Sequence, residues 1–195
     1  MVKAKDLIVA LLPAPLHRWL LKVASVFLRS RRLRTGIRPV GCAVIIYDDQ
    51  GRVLLVRHSY IEPDTWMLPT GGIGRSENPV AAAAREVREE TNIDACDMSM
   101  IEFENTEYWG FEYLAFIVGG RSSGTVQPDG REILAAEFFS PDALPQSVSL
   151  PTVERIKRWR FRRSLPIAVP PFVRPHYVAG ERFSRRRNFH AIPRS

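Results

Sequence analysis

The sequence feature that most constrains the fold is a short helix whose two ends are both encoded, in the stretch NPVAAAAREVREETNI. Asn78 is a good N-cap residue, and Pro79 suits the first helical position, where its missing N–H has no helical partner. The alanine-rich run that follows favours helix, and Asn92 tolerates the left-handed conformation that ends one. The sequence therefore predicts an α-helix over residues 79–91.

Three carboxylates fall on one face of this predicted helix. Glu86, Glu89 and Glu90 lie at i, i+3 and i+4, and these positions share a face because an α-helix turns about 100° per residue. Like charges at this spacing are unfavourable by about 0.2–0.5 kcal/mol per pair. Carboxylate oxygens are also the ligands that Mg²⁺ and Mn²⁺ prefer, and a bound cation would turn the repulsion into attraction. The face is a candidate metal site, with a solvated acidic surface as the simpler interpretation.

The residues around the helix resemble the signature of a known family. In residues 71–93, a glycine is followed after five residues by a glutamate, and after seven more by an Arg-Glu-aliphatic-x-Glu-Glu run. This pattern resembles the Nudix box, with matches at Gly71, Glu77, Arg85, Glu86, Val87, Glu89, Glu90 and Ile93. Asn92 stands where the family usually has glycine. The preceding strands and the segment WMLPTGG extend the resemblance over about residues 38–150.

The resemblance implies a fold and a set of site residues. The implied fold is an α/β protein of the Nudix type, an α/β/α sandwich around a mixed β-sheet. The implied cofactor is Mg²⁺, with Mn²⁺ as an alternative, bound by the backbone carbonyl of Gly71 and by Glu86, Glu89 and Glu90. Glu77 and Arg85 resemble the pair of residues that braces the glycine loop against the helix.

A fourth carboxylate is expected outside the box, because the family places an acidic residue shortly before an aromatic pair in a later strand. In GREILAAEFFSPDALP, Glu132 lies six residues before Phe138 and is the first candidate, with Asp129 and Glu137 as alternatives. An exposed loop acid is the plain alternative for Glu132. The general base is left open between Glu86 and Glu132, since the family uses either location. The predicted catalytic set is Glu86, Glu89, Glu90 and Glu132.

The reaction implied by the resemblance is attack of water on phosphorus in a diphosphate linkage, assisted by a metal ion and by a carboxylate that accepts the proton. The expected substrate is a nucleoside diphosphate linked to another group. Two alternatives stay open: an RNA 5′ pyrophosphohydrolase, and a non-catalytic Nudix-fold module that senses nucleotides. Degenerate boxes mark such modules, and the intact carboxylates argue against one. Arg57 and Tyr60 are candidate substrate contacts, with surface and core roles as the alternatives.

Further elements are indicated on both sides of the box. Alternating or continuous apolar runs predict a hairpin in residues 38–58, strands near residues 97–105, 108–118 and 132–139, and a second helix in SLPTVERIKRWRFRR. The only two cysteines, Cys42 and Cys96, form no CxxC pattern. A reduced compartment is therefore favoured, and neither cysteine indicates a metal ligand.

The charges divide the chain into three parts. Residues 1–38 hold nine Lys/Arg and one acidic residue, residues 151–195 hold twelve and two, and residues 39–150 hold seven and eighteen. An acidic centre with basic arms is typical of a catalytic body with accessory contact surfaces. The predicted parts are a basic amphipathic N-terminal extension at 1–37, the Nudix domain at 38–150, and a basic C-terminal helix with a flexible tail at 151–195.

The basic arms leave several partners open. The N-terminal extension contains no apolar run long enough to span a membrane, and no clear signal-peptide cleavage site follows it. Residues 14–34 are predicted as a basic amphipathic helix that either packs on the domain or lies on a membrane surface. For the arginines mixed with aromatics near the C-terminus, a plain solvated surface is the first interpretation and a membrane-facing surface that acts with residues 14–34 is the second. RNA contact is the less favoured alternative. The expected location is cytoplasmic, with membrane association as an option, and the oligomeric state is left undecided.

Overall fold

A computed structural model describes most of residues 38–164 and five positions before them. The described residues are 38–108, 111–122, 124–128 and 130–164, with Pro13, Pro15, Leu16, Leu20 and Val23. Most of the predicted helix at 14–34, Asp129 and the predicted tail from residue 166 onward lie outside the described residues. Within the described part of the chain, no helix has both the length and the apolar character needed to cross a membrane.

A six-stranded mixed sheet forms the centre of the fold. Its strands are β1 (Val40–Tyr47), β2 (Val53–His58), β3 (Thr70–Gly72), β4 (Cys96–Tyr108), β5 (Phe111–Arg121) and β6 (Ile133–Phe139). The order is β4-β5-β1-β2-β6, and the short β3 pairs with β1. The β1–β5 pairing is parallel, whereas the other pairings are antiparallel. The predicted mixed sheet is confirmed, and so is the hairpin formed by β1 and β2.

Two helices cover the sheet because its central strand is apolar on both faces. The helices are α1 (Pro79–Thr91) and α2 (Leu150–Ser164). Along β1, Val44 and Ile46 pack with the α1 residues of the core, while Ala43 and Ile45 pack with those of α2. Successive side chains of a strand point to opposite faces, so a strand covered on both sides is a continuous apolar run. The α/β/α sandwich is therefore confirmed.

Helix α1 begins and ends where the sequence predicts. The side-chain oxygen of Asn78 accepts the N–H of Val80 at 2.8 Å, as an N-cap does. Asn92 has a φ of 56°, and its N–H donates to the carbonyl of Arg88 at 2.9 Å. The side chains of α1 that are buried against the sheet include Ala82, Ala83 and Val87.

Helix α2 packs on the domain, although the charge pattern places it in a basic extension. Ile156 and Trp159, three residues apart on one face of α2, are buried in the core beneath the sheet. The basic residues around them hide this apolar stripe in the sequence. Helix α2 therefore belongs to the same compact unit as the sheet.

Three arginines of α2 are paired with carboxylates of β4. Arg155 donates to Glu104 at 2.7 Å, and Arg158 donates to Glu102 at 2.8 Å and also to Glu104. Arg162 donates to Glu102 at 2.6 Å. These charges are bound within the molecule, so this helix contributes much less to RNA or membrane attraction than its sequence RIKRWRFRR suggests.

Candidate active site

One arginine fixes the glycine loop before α1 to the helix. Arg85 donates through Nε and Nη2 to the two oxygens of Glu77, at 3.0 and 3.1 Å, and through Nη2 to the carbonyl of Gly72 at 3.0 Å. Glu77 also accepts the N–H of Gly74 at 2.7 Å. The hydrogen bonds from Arg85, and then from Gly74, hold the pKa of Glu77 below its ordinary value. The structure thus joins the two residues that the sequence predicts as a brace.

Gly71 lies against Glu86, where a side chain would not fit. A Cβ on Gly71 would lie only 1.9 Å from Cδ of Glu86, so the carboxylate can approach the loop backbone because residue 71 is glycine. On the neighbouring strand, the thiol of Cys42 donates to the carbonyl of Gly71 at 3.7 Å. The fold therefore brings the backbone of the glycine loop into contact with one of the predicted metal ligands.

Arg85 also neutralises two of the three carboxylates on the α1 face. Its Nη1 donates to Glu86 at 2.8 Å and to Glu89 at 3.3 Å. Burial raises the pKa of Glu86, and the hydrogen bond from Arg85 opposes that shift. The repulsion expected on this face is therefore relieved within the chain, and a bound cation is not its sole remedy.

Glu90 lies apart from this contact, on the inner side of α1. It is only 6% exposed, and its Oε1 lies 4.0 Å from Nε2 of His58, which is 1% exposed at the end of β2. The ring of Tyr60 lies edge-on to the imidazole, with 5.7 Å between the ring centres. A buried histidine therefore lies beside one of the predicted metal ligands.

The three glutamates offer the oxygens that Mg²⁺ prefers, but they do not converge. Among the residues described by the structure, no group of three or more His, Cys, Asp or Glu side chains is arranged to hold a metal ion. Glu86 and Glu89 each accept a hydrogen bond from Arg85, and Glu90 lies beside His58. The carboxylate oxygens, and the space that Gly71 leaves beside Glu86, suit a hard divalent cation. Arg85 contacts one oxygen each of Glu86 and Glu89.

The fold brings the backbone of Glu132 to the same end of β2. The carbonyl of Glu132 accepts the N–H of Ser59 at 2.7 Å, and the next residue, Ile133, pairs with His58. His58 in turn lies beside Glu90. The backbone of Glu132, the first candidate for the fourth carboxylate, therefore lies directly before β6 at the same end of the sheet as Glu90.

The alternatives to Glu132 differ in their positions. Glu137 is exposed and pairs with Leu55, which packs in the core beneath α2. Residues directly opposite each other in antiparallel strands share a face. Glu137 therefore lies on the α2 face of the sheet, away from the glutamates of α1, whereas Asp129 lies outside the described residues. This placement favours Glu132 over Glu137.

The two predicted substrate contacts lie on different faces. Arg57 lies on the α2 face, with its guanidinium carbon 5.2 Å from the centre of the Trp66 ring. Its Nε is buried and has no hydrogen-bond partner within the part of the chain that the structure describes. Tyr60 lies beside His58 and hence near Glu90. The structure brings Tyr60, but not Arg57, to the glutamates, and substrate contact by either stays a prediction.

Two buried residues, Cys42 and His58, lie behind the site. The sequence offers His58 as a phosphate contact or a surface group and does not predict its burial beside Glu90. Cys42 lies under the glycine loop, and burial, followed by the nearby charge of Glu86, raises the pKa of its thiol to about 12. His58 follows the buried residues Leu54 and Val56 at a spacing of two. That alternation is a signal for an inward-facing side chain, but the contact with Glu90 depends on how α1 packs.

Comparisons with known proteins agree with this geometry. The sequence profile of the NUDIX domain matches residues 37–162. The chain belongs to the NUDIX family. It is 30% identical over 153 residues to the RNA pyrophosphohydrolase of Acidiphilium cryptum (strain JF-5), across 75% of this chain and 86% of that relative. The family prediction made from the box is thus confirmed.

Another relative matches over a smaller part of its own length, and a solved structure matches in fold. The chain is 27% identical over 117 residues to the NAD-capped RNA hydrolase NudC of Vibrio atlanticus (strain LGP32), covering 58% of this chain but only 42% of NudC. The crystal structure of a MutT NUDIX hydrolase from Burkholderia pseudomallei matches with a TM-score of 0.56 and 25% identity, over 62% of this chain and 97% of that one. Relatives named as hydrolases agree with the predicted Nudix-type hydrolase.

Proposed function

We propose that this NUDIX chain is a divalent-cation-dependent pyrophosphohydrolase that cleaves a diphosphate linkage in a nucleotide-type substrate. The observation that carries the proposal is the contact between Gly71 and Glu86, with Glu89 and Glu90 on the same helix. The relatives named RNA pyrophosphohydrolase and NAD-capped RNA hydrolase support the reaction class.

The proposed ligands of the cation are Glu86, Glu89 and Glu90, with Mg²⁺ as the first choice and Mn²⁺ as the alternative. When bound, such a cation neutralises phosphoryl oxygens and lowers the pKa of a water molecule. The chain contributes the position of its own groups. The brace between Glu77 and Arg85 holds the loop in place, and the glycines leave room for phosphate oxygens to approach its backbone.

Acceptance of the water proton by a carboxylate completes the proposed mechanism. Glu132 is supported by the location of its backbone beside His58. Glu86 is the alternative, supported by its contact with the glycine loop at Gly71. The two assignments make different predictions for variants of Glu132.

The proposed substrate has two forms. The first is a nucleoside diphosphate linked to another group, and the second is the 5′ end of RNA. The second form is favoured by the RNA pyrophosphohydrolase of which 86% of the length is matched. It draws little support from α2, because Arg155, Arg158 and Arg162 are bound to carboxylates of β4.

A substrate panel tests both forms. Hydrolysis of ADP-ribose, dinucleoside polyphosphates, NADH, nucleotide sugars, nucleoside triphosphates and triphosphorylated RNA is measured with Mg²⁺. The full chain is compared with Glu90→Gln and with Glu154→Gln, an exposed acid on α2 that serves as the matched control. We expect Glu90→Gln to lower turnover by about 100-fold or more, and Glu154→Gln to leave it unchanged.

The pattern of products decides between the alternatives. Hydrolysis confined to RNA would select the second form of the substrate proposal. Tight nucleotide binding without hydrolysis would contradict the enzyme proposal and support a sensing module. Equal turnover of the full chain and Glu90→Gln would remove Glu90 from the mechanism.

A separate proposal of membrane contact concerns the N-terminal region. Leu16, Leu20 and Val23 are helical, are spaced at i, i+4 and i+7, and are 44%, 40% and 47% exposed. Because residues 1–38 hold nine basic residues and one acidic residue, an anionic lipid surface fits this apolar stripe. Cosedimentation of the full chain with phosphatidylglycerol vesicles should exceed that with phosphatidylcholine vesicles and should fall in Leu16→Ser/Leu20→Ser. Equal cosedimentation with both lipids would contradict the proposal.

A further inference from the structure

We infer that His58 is a positioning residue, which holds the carboxylate of Glu90 in the orientation needed to bind the cation. The inference deepens the proposed function and rests on it, because it takes Glu90 to be a cation ligand. The observation behind it is the distance of 4.0 Å between Nε2 of His58 and Oε1 of Glu90, in the buried layer between β2 and α1.

Both side chains occupy positions where their own elements are otherwise apolar. His58 continues the row of Leu54 and Val56 on β2, and Glu90 lies three residues after the buried Val87 on α1. Burial of a carboxylate is unfavourable unless polar or charged groups accompany it. The imidazole of His58 is a polar group beside the buried carboxylate of Glu90.

The imidazole is carried on a fixed piece of backbone. His58 pairs with Ile133 at the end of β2. The next residue, Ser59, donates its N–H to the carbonyl of Glu132 at 2.7 Å and its hydroxyl to that of Arg131 at 2.8 Å. The backbone that carries His58 is therefore fixed at this end of β2, as a positioning residue requires.

Glu90 also has different surroundings from the other two glutamates. Glu86 and Glu89 accept hydrogen bonds from Arg85, whereas Glu90 lies beside His58. The separation of 4.0 Å is longer than a hydrogen bond, so the inference requires the carboxylate to approach the imidazole when the cation binds. Residues that orient metal ligands in this way typically change metal affinity or activity by about 10–100-fold when they are replaced.

The test measures Mn²⁺ binding to the full chain by electron paramagnetic resonance, beside thermal unfolding without metal. His58→Asn keeps a polar side chain but is too short to reach Glu90, whereas His58→Gln places an amide near the position of Nε2. We expect His58→Asn to raise the Kd for Mn²⁺ by about 10–100-fold, and His58→Gln to stay within about threefold of the unsubstituted chain. Thr152→Val, which removes a buried hydroxyl on α2 that accepts the N–H of Leu68, should lower the Tm without changing the Kd.

A double-mutant cycle then asks whether His58 acts through Glu90. In the Glu90→Gln background, the effect of His58→Asn on the Kd should disappear. Equal Kd values for His58→Asn and the unsubstituted chain would overturn the inference. So would an undiminished effect of His58→Asn in the Glu90→Gln background. Failure of the proposed function gives a different result. His58→Asn would still weaken Mn²⁺ binding only when Glu90 is present, but no substrate of the panel would be hydrolysed.

Discussion

Arg85 and Glu77 are joined at two points, with Nε and Nη2 of the guanidinium on the two oxygens of one carboxylate. The same guanidinium also reaches Glu86 and Glu89 through Nη1. One side chain therefore connects the glycine loop to the helix face that carries the proposed ligands. A lysine cannot reproduce this geometry, because its ammonium is a compact point charge rather than a planar fork of donors.

The first prediction follows from that fork. Arg85→Lys should lower turnover by about 10–100-fold, because the loop and two proposed ligands lose their common support. The matched control is Arg88→Lys on the same helix, where the ion pair with Asp94 is exposed. Turnover is measured on the best substrate of the panel. A variant at position 85 as active as the control would contradict a supporting role for Arg85.

The second prediction concerns the space in front of the glycine loop. Gly71→Ala should displace Glu86, because the new Cβ would lie 1.9 Å from its Cδ. Gly72→Ala is the matched control, since a Cβ there meets nothing within 4 Å. We expect Gly71→Ala to weaken Mn²⁺ binding and turnover by about tenfold or more, with Gly72→Ala unchanged in Mn²⁺ binding. Equal Mn²⁺ binding by the two variants would contradict the claim that the site needs the space left by Gly71.

The third prediction separates the candidates for the general base. If Glu132 accepts the proton, Glu132→Gln should lower kcat by about 10²–10⁴-fold. Glu137→Gln, on the opposite face of the sheet, should leave kcat unchanged. Rates are compared at saturating Mg²⁺ and substrate, with unfolding curves to confirm that both variants fold. Full activity of Glu132→Gln would transfer the role to Glu86.

The fourth prediction concerns the two thiols. Cys42 is buried, and its thiol pKa is raised to about 12, so almost none of it is thiolate near pH 8. Cys96 is exposed. A disulfide reagent at pH 8 should therefore label only Cys96 in the native chain and both thiols in denaturant. The native Cys96→Ser variant, whose remaining thiol is Cys42, should not be labelled. Rapid labelling of native Cys96→Ser would show that the glycine loop opens readily above Cys42.

The fifth prediction is a pH dependence of stability. The pKa of Glu77 is held below its ordinary value of 4.5, chiefly by Arg85. A carboxylate with a lowered pKa adds stability above its unfolded-state pKa, and this contribution is lost as the pH falls through the folded-state pKa. The Tm difference between the unsubstituted chain and Glu77→Gln should therefore be constant above about pH 5 and shrink below it. A difference that is equally large at pH 3 would contradict the assigned pKa shift.

The sequence predicts α1 well because the signals for its ends are local. Asn78, Pro79 and Asn92 act within one turn of the helix, so no knowledge of distant contacts is needed. The glutamate face follows from helical periodicity alone. The brace of Glu77 and Arg85 follows from resemblance to the family, and the structure then supplies its distances.

The remaining features depend on contacts between distant parts of the chain. The arginines of α2 are indistinguishable in sequence from a nucleic-acid-binding run, because their partners Glu102 and Glu104 precede them by about fifty residues. The directions of the Glu86 and Glu89 side chains depend on which neighbouring groups Arg85 contacts. The location of His58 beside Glu90 likewise depends on how a helix packs on a strand, which periodicity does not specify.

The short strand β3 pairs with β1, the innermost strand, through Gly41 with Gly72, Cys42 with Gly71 and Ala43 with Thr70. The loop next to the glutamates is therefore anchored by backbone pairing to the central strand of the sheet. We expect discrimination among substrates to depend instead on peripheral segments such as those that carry Tyr60 and Glu132. Exchange of those segments should change the preferred substrate while the glycine loop and the glutamates of α1 stay the same.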